Sequence, residues 1–239
     1  MSAFGVKRRS RFPDPRETTV EGIVAAGGDL LPETLIDAYT HGIFPWPQEG
    51  MPMLWFSPPE RGVIDLSCEL KAPSRFLREY SKLIESGSIE VRADTAFDEV
   101  IESCRVAARQ GQQGTWILGP MVDAYRRLHE LDVAHSIEVW EDGELVGGLY
   151  GVFLRGVFSG ESMFHRRPNR GKIALWALMQ KLNAAQLPFL DVQMVTPVVA
   201  SFGGVLISRD EYLRRLQEAQ TRWEKGAWRF EWAKGPWSL

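Results

Sequence analysis

Residues 147–164 read GGLYGVFLRGVFSGESMF, and this stretch decides the fold. Its pattern predicts two antiparallel strands, over 149–153 and 157–163, joined by a tight turn at 154–156. Glycines inside or beside a strand weaken it and often mark a bulge or a close approach of the backbone to a ligand. Glu161 is a lone carboxylate among apolar neighbours, where an unpaired charge is costly. The hairpin is therefore either plain core, with Glu161 paired to an arginine or a backbone N–H, or one wall of a functional site.

Six further elements around the hairpin are predicted from hydrophobic periodicity and from helix-start signals. Asp94 or Thr95 is expected to cap the first helix, and Ser208 with Glu211 forms the capping box of the last. This order indicates an α+β fold, an antiparallel or mixed sheet with helices on its faces. In chain order the elements are a helix over 94–110, a helix that begins at Pro120, a strand over 135–140, a helix over 171–186, a strand over 189–194 and a helix after Ser208.

Residues 1–60 carry many prolines and little periodicity, which predicts a small, irregular N-terminal domain. One short helix is expected over 32–41, begun by a proline and stopped by a glycine. Aromatic side chains then cluster over 42–46 and 54–56, either as a small core or as a wall of an apolar pocket. The remainder, residues 61–239, is predicted to form the sheet domain.

The chain has 239 residues, a formal net charge of −3 and the apolar content of an ordinary globular protein. No apolar run approaches the ~20 residues that span a bilayer, and no signal peptide is recognisable, so we expect a cytoplasmic protein without membrane contact. Cys68 and Cys104 form neither a disulfide framework nor a metal-binding spacing, and the four histidines are scattered. We therefore expect no metal and no other cofactor. The net charge disfavours a general nucleic-acid binder but leaves room for local basic patches.

Glu161 and Asp191 lie on two strands that a strand–helix–strand order can place side by side. Gln193 follows Asp191 at the next position on the same face. A carboxylate beside an amide can hold an amine, orient it and, once the pKa is tuned, accept its proton. The structural alternative makes Asp191 a cap or turn carboxylate and Gln193 a hydrogen-bond donor to the backbone.

The order of the sheet elements is that of N-acyltransferases, in which an amine attacks an activated acyl carbonyl. The branch that uses CoA needs a glycine-rich phosphate loop at a helix N-terminus. The corresponding segment here, RRPNRGK at 166–172, does not have that spacing. A different activated acyl donor is therefore favoured, with a CoA-dependent N-acyltransferase as an alternative.

Seven motifs, taken in order, resemble those of the leucyl/phenylalanyl-tRNA–protein transferases, and the match runs from about residue 27 to residue 212. After the last motif the family pattern has an asparagine and a His-Thr-like pair, whereas this chain reads MVTPVVA at 194–200. Any one motif is a weak signal, but seven in register are a strong one. They are GIFPW at 42–46, GTWI at 114–117, YRRLH at 125–129, HSIEVW at 135–140, LVGGLYG at 145–151, GESMF at 160–164 and DVQ at 191–193.

The resemblance implies a small N-terminal domain followed by an acyltransferase-like (GNAT-like) catalytic domain. It implies transfer of Leu or Phe, and of Met where the pocket is loose, from aminoacyl-tRNA to the N-terminal Arg or Lys of an acceptor protein, which creates a degradation signal. By the same likeness Glu161 would hold the donor's α-amino group, while Asp191 and Gln193 would orient or activate the acceptor amine. The implied substrate-binding residues are Trp46, Trp116, Tyr125, Leu149, Phe158, Met163 and Leu178.

Phosphate contacts to the tRNA are expected from basic residues, although such clusters are more often a solvated face. Because the family's polar pair is replaced here, a second hypothesis is a degenerate relative that binds aminoacyl-tRNA or basic N-termini without transferring. The retained Glu161, Asp191 and Gln193 favour the enzyme. The candidate tRNA-binding residues are Arg75, Arg78, Arg166, Arg167, Arg170 and Lys172.

Overall fold

The computed structural model describes residues 10–48, 50–107, 117–228 and 230–237. Within these ranges the chain forms a small sheet of three strands and a large sheet of eight, with seven helices. None of these helices is long and apolar enough to cross a membrane. In chain order the elements are β1 (Ile23–Ala26), α1 (Pro32–Thr40), β2 (Phe44–Pro45), β3 (Leu54–Phe56), β4 (Glu60–Asp65), α2 (Ser74–Glu85), β5 (Glu90–Ala93), α3 (Phe97–Val106), α4 (Gly119–Glu130), β6 (Ala134–Glu141), β7 (Glu144–Leu154), β8 (Val157–His165), α5 (Arg170–Ala184), β9 (Phe189–Gln193), α6 (Pro197–Ser201), β10 (Gly204–Ser208), α7 (Arg209–Glu224) and β11 (Gly235–Pro236).

The large sheet has the strand order β10-β4-β9-β8-β7-β6-β5-β11. Strands β8 and β9 run parallel, and the other described pairs in this sheet are antiparallel. Helix α5 connects β8 to β9, as a crossover between parallel neighbours requires. The predicted α+β class, with a small N-terminal unit and a mixed sheet flanked by helices, is confirmed. This topology places Glu161 of β8 and Asp191 of β9 on adjacent strands.

Two tight turns set the register of the central strands. Residues 142–143 have φ of 54° and 79°, and residues 155–156 have φ of 47° and 85°. Positive φ at both central positions marks a type I′ turn, whose twist matches that of paired strands. The second turn is therefore two residues long, because Leu154 pairs with Val157 at the ends of β7 and β8.

The N-terminal elements pack directly on the large sheet. Helix α1 begins at Pro32 as predicted, and Gly42 follows it with φ of +76°. A Cβ at Gly42 would lie 2.7 Å from a methyl carbon of Leu213 and 2.8 Å from the ring of Tyr212, both in α7. Glycine is needed there for both reasons. One apolar cluster joins α1 and β3 to α3, α4 and β7. The predicted domain boundary between residues 60 and 61 stays a prediction.

Helix α3 begins later than the sequence predicts. Its N-cap is Ala96, so the expectation that Asp94 or Thr95 caps it is wrong. The carboxylate of Glu138, from β6, accepts the N–H groups of Thr95 and Ala96 at 2.8 Å. A neighbouring strand thereby satisfies backbone donors that the helix itself leaves open. This contact joins positions 43 and 42 residues apart, which no local capping pattern reveals.

The sequence does not predict β1 to β5, β10, β11, α2 or α6. Strand β10 is not predicted because its residues do not alternate between buried and exposed positions. The last predicted turn of α3, residues 108–110, lies outside the described residues. The cap of α7 is confirmed, since the Ser208 hydroxyl accepts the Glu211 N–H at 3.3 Å.

Candidate active site

A β-bulge presents Glu161 to the interior of the protein. Tyr150 pairs with Ser162 and Gly151 pairs with Gly160, which leaves Glu161 as the extra residue of β8 opposite β7. A bulge bends its strand and turns a side chain away from the regular alternation. The glycines of the hairpin signal this feature in the sequence. The result is a carboxylate that points from the sheet towards helix α4.

Three polar side chains surround the Glu161 carboxylate. Tyr125 of α4 donates its hydroxyl to Oε2 at 3.0 Å, and Gln193 of β9 donates Nε2 to Oε1 at 2.8 Å. The hydroxyls of Tyr39 and Tyr125 lie 2.5 Å apart. Either hydroxyl can be the donor in that contact, because both tyrosines also form a hydrogen bond with Glu161. A chain of hydrogen bonds therefore runs from α1 through α4 to the strands that carry Glu161 and Gln193.

Burial raises the pKa of the Glu161 carboxyl from 4.5 to about 7, against the lowering effect of its hydrogen bonds with Tyr39 and Tyr125. Burial also raises the pKa of both tyrosines well above 10, and the charge of Glu161 adds to that rise. The tyrosines consequently remain protonated donors at any physiological pH. Glu161 is the group here that can exchange a proton near neutrality, the property that a general base needs.

Asp191 lies beside this series of hydrogen bonds, but neither of its carboxylate oxygens has a free lone pair. Arg61 of β4 binds it through two bonds, Nε to Oδ1 at 2.8 Å and Nη2 to Oδ2 at 2.7 Å. The hydroxyls of Tyr212 and Ser159 donate to Oδ2 at 2.9 Å and 3.2 Å, and the Gln193 N–H donates to Oδ1 at 3.0 Å. An ionised carboxylate offers about four lone-pair sites. Five donors therefore saturate it, and its relative exposure is 0%.

Arg61 is the functional candidate that sequence reasoning missed. Its guanidinium lies between the rings of Phe44 and Tyr212, 4.5 Å from each centroid, and its side chain is 1% exposed. Burial lowers the pKa of Arg61, but the charge of Asp191, the hydrogen bonds to it and the nearby Tyr212 and Glu161 together raise that pKa more, so it lies above its usual range. The two partners are 130 residues apart in the chain, and no motif links them. Only the order β4-β9 in the sheet brings them together.

The backbone at Gln193 is turned out of regular strand geometry. Gly62 pairs with Gln193 and Val63 with Asp191, so β9 carries an extra residue between them. Gln193 has φ of +53°, a left-handed conformation that side chains other than glycine rarely adopt. Such strain persists where the surroundings enforce it and is typical of functional sites. Because an ionised Glu161 only accepts, the Gln193 amide nitrogen faces it, and the amide oxygen is left for another donor.

A cavity of about 560 Å³ opens beside Gln193. One half of its wall is aromatic and comes from the small sheet, through Phe44, Trp46 and Phe56. The other half comes from the large sheet and the turn after β9. This volume lies within the range of small-molecule sites in proteins. The lining residues are Phe44, Trp46, Gln48, Phe56, Pro58, Pro59, Glu60, Gln193, Met194, Val195 and Leu206.

The residues predicted to bind substrate fall into separate groups. Trp46 lines the cavity, and Tyr125 binds Glu161. Trp116 lies outside the described residues. The other four belong to the core between the large sheet and its helices rather than to the cavity wall, and their role in substrate binding stays a prediction. Leu149, Phe158 and Leu178 are buried there, and Met163 packs against them in part.

The basic residues predicted to contact tRNA also differ in their surroundings. Arg166 binds Glu99, Arg167 binds Glu141, and Arg170 is held by Glu141 and another carboxylate. These acidic partners offset much of the positive charge of the loop. Within the described residues, by contrast, three of the predicted tRNA contacts form no ion pair, and their charge remains available. They are Arg75, Arg78 and Lys172.

Comparisons with known proteins agree on one family. The family model for the leucyl/phenylalanyl-tRNA protein transferase matches residues 70–217, and the model for its N-terminal domain matches residues 28–59. A leucyl/phenylalanyl-tRNA–protein transferase of Anaeromyxobacter sp. (strain K) is 44% identical over 232 residues, which cover 95% of this chain and 97% of the relative. The one from Desulfatibacillum aliphaticivorans is 41% identical over 241 residues, covering 100% of this chain and 97% of the relative.

Solved structures with a related arrangement are far more distant. L-PGS from Bacillus licheniformis shares 14% identity at a TM-score of 0.39, covering 67% of this chain and 49% of that one. A GCN5-related N-acetyltransferase-like protein from Streptococcus suis shares 16% identity at a TM-score of 0.34, covering 70% of this chain and 60% of that one. TM-scores this low assign no activity. Among the described residues, no group of three His, Cys, Asp or Glu side chains could hold a metal ion.

Proposed function

The chain belongs to the leucyl/phenylalanyl-tRNA protein transferase family and is an aminoacyltransferase, and we propose that it moves Leu or Phe to acceptors that begin with Arg or Lys. The observation that carries the proposal is the Glu161–Gln193 pair. Gln193 lines an apolar cavity and has an amide oxygen left for a donor, and its amide nitrogen binds the Glu161 carboxyl group, whose pKa is about 7. Together, the carboxyl group and the amide can hold an amine beside an ester and remove a proton from it.

The aromatic half of the cavity receives the terminal aminoacyl-nucleoside of the tRNA. Phe44, Trp46 and Phe56 offer ring faces on which a base or an apolar side chain can pack. Stacking of a base on an aromatic side chain is typically worth ~1–3 kcal/mol. The volume of about 560 Å³ leaves room for the first residue of the acceptor as well. The ester carbonyl then lies near Gln193, where the two halves of the cavity meet.

Glu161 is the proton acceptor in this proposal. The acceptor amine arrives as an ammonium ion and gives one proton to Glu161, which is ionised above its pKa of about 7. The free amine attacks the ester carbonyl carbon, so a C–N bond forms and the bond from that carbon to the ribose oxygen breaks. A second proton from the nitrogen passes to the ribose oxygen, which leaves as the tRNA hydroxyl. Gln193 orients the amine through its amide oxygen.

Asp191 acts as a positioning residue rather than as the base. Its five donors leave no site for an incoming amine, and its bond from the Gln193 N–H fixes the left-handed backbone at that residue. Arg61 in turn holds Asp191 from β4. This assignment differs from the role that the family resemblance implies for Asp191, and it moves the proton transfer to Glu161.

Transfer of labelled Leu or Phe from tRNA to a peptide that begins with Arg tests the proposal. The wild-type chain should label this peptide and should not label the same peptide with an acetylated N-terminus, because the acetylated nitrogen cannot attack. Glu161→Gln should reduce transfer ~10²–10⁴-fold, the usual contribution of a general base. Glu130→Gln, an exposed glutamate at the end of α4, is the matched control. Binding of aminoacyl-tRNA without any transfer would instead favour a non-catalytic relative.

A further inference from the structure

Glu60 differs from the other residues that line the cavity by its negative charge. It is the one carboxylate in the described wall, it is exposed, and it forms no ion pair with any described residue. Two neighbouring arginines are engaged elsewhere. Arg61, the next residue in sequence, binds Asp191, and Arg209, brought close by the pairing of β10 with β4, donates to the Thr18 hydroxyl and the Ser57 carbonyl. A negative charge at the rim of an apolar cavity is therefore left without a cation.

The sheet register gives the distance from Glu60 to the reacting centre. Gly62 of β4 pairs with Gln193, and Glu60 is two residues earlier on the same strand, hence on the same face. Two residues of strand span about 6.6 Å and neighbouring strands lie about 4.8 Å apart, so the Cα atoms of Glu60 and Gln193 are roughly 8 Å apart. The side chain of Arg or Lys extends on the order of 6 Å from its Cα. A residue whose amine lies at Gln193 can thus bring a terminal cation to Glu60.

The wall between these two points suits the stem of such a side chain. Met194 and Leu206 both line the cavity and are each 51% exposed. Arg and Lys cover apolar surface with their methylene groups while the charged head seeks a polar partner. An apolar wall that ends in one carboxylate has the chemistry of a site for a long basic side chain.

We infer that Glu60 selects acceptors by pairing with the charged side chain of their first residue, an inference that rests on the proposed transfer function. The carboxylate of Glu60 faces the cavity from β4, while Glu161 and Gln193 act on the α-amine of the same residue. Selection and chemistry are then carried by different carboxylates on different strands. A charge-assisted hydrogen bond of this kind would favour a cationic first residue over a neutral one of equal size.

The test compares two peptides that differ only in the first residue, arginine in one and its neutral isostere citrulline in the other. The readout is the ratio of their kcat/KM values, measured with saturating Phe-tRNA on the full chain. Wild type should favour arginine about 10-fold or more, mainly through KM, and Glu60→Gln should bring the ratio close to 1. Glu60→Lys should reverse the charge preference, so that a peptide beginning with glutamate becomes a better substrate than one beginning with arginine.

Two results would count against the inference in different ways. If wild type and Glu60→Gln transfer with the same arginine-to-citrulline ratio, Glu60 does not read the acceptor, and the proposed transfer stands without it. If the wild-type chain labels no peptide at all, the proposed function fails and the inference fails with it. Glu130→Gln should keep the wild-type ratio, because that side chain is remote from the cavity wall.

Discussion

The buried pair of Arg61 and Asp191 should be indispensable to the folded protein. Their side chains are 1% and 0% exposed, and the two hydrogen bonds between them are 2.8 Å and 2.7 Å long. Arg61→Met removes the cation and leaves a carboxylate without compensation in the interior. Loss of one partner from a buried pair typically costs ~3–5 kcal/mol. For a chain of this size that cost corresponds to a fall in Tm on the order of 10 °C.

Urea and thermal denaturation of Arg61→Met measure this cost directly. Arg214→Met is the matched control. Arg214 is likewise an ion-paired arginine, bound to Glu211 and Glu218, but its side chain is 54% exposed, so its loss should leave the midpoint unchanged within error. The double variant Arg61→Met/Asp191→Leu should be more stable than the sum of the two single losses implies, by roughly 0.5–3 kcal/mol of coupling. It should still transfer poorly, because Gln193 has lost the acceptor for its N–H. Additive losses, or an Arg61→Met midpoint equal to that of Arg214→Met, would refute the reasoning.

Three further predictions concern stability and binding. The free energy of unfolding should fall by up to about 3 kcal/mol as pH rises from 4.5 to about 7, because the raised pKa of Glu161 makes its ionisation costly in the folded state. Glu161→Gln should not show this fall, and parallel pH–stability curves for the two proteins would contradict the prediction. Gly62→Ala should destabilise the fold by roughly 1–3 kcal/mol and slow transfer, since the Cβ of an alanine at this position would lie 2.9 Å from the carbonyl carbon of Met194. An unchanged melting curve would show that the turn after β9 moves to accommodate the methyl group without cost. Arg170→Met should lower Tm and spare tRNA affinity, whereas Lys172→Met should weaken salt-dependent tRNA binding at constant Tm; titrations with labelled tRNA at two salt concentrations separate the two effects.

The central hairpin and its partner strand could be predicted because their signals are local. Apolar residues interspersed with glycines mark β7 and β8, and Asp142–Gly143 favours by its own φ preferences the tight turn that leads into β7. A strand–helix–strand order then makes β8 and β9 candidates for parallel neighbours. That order is enough to anticipate that Glu161 and Asp191 lie side by side, and the glycines anticipate the bulge.

The roles of those carboxylates could not be predicted in the same way. What distinguishes them is the set of donors around each, which comes from α1, α4, α7 and β4, far away in sequence. Arg61 follows two prolines and a glutamate, a context that gives no sign of burial. The capping of α3 by Glu138 could not be predicted either, because the contact forms only once the sheet is assembled.

The pH dependence of a single turnover tests the central claim most directly. Preformed enzyme with bound Phe-tRNA is mixed with excess Arg-initiated peptide between pH 5.5 and 9, and the transfer rate is recorded for wild type and Glu161→Gln. We predict a wild-type rate that rises with pH through about 7, as Glu161 ionises, and a variant that is ~10²–10⁴-fold slower and lacks that rise. The variant should retain the later rise from the acceptor amine itself, whose ordinary pKa is about 7.7–8.0. A Glu161→Gln chain with the wild-type rate and profile would contradict the assignment of Glu161 as the proton acceptor.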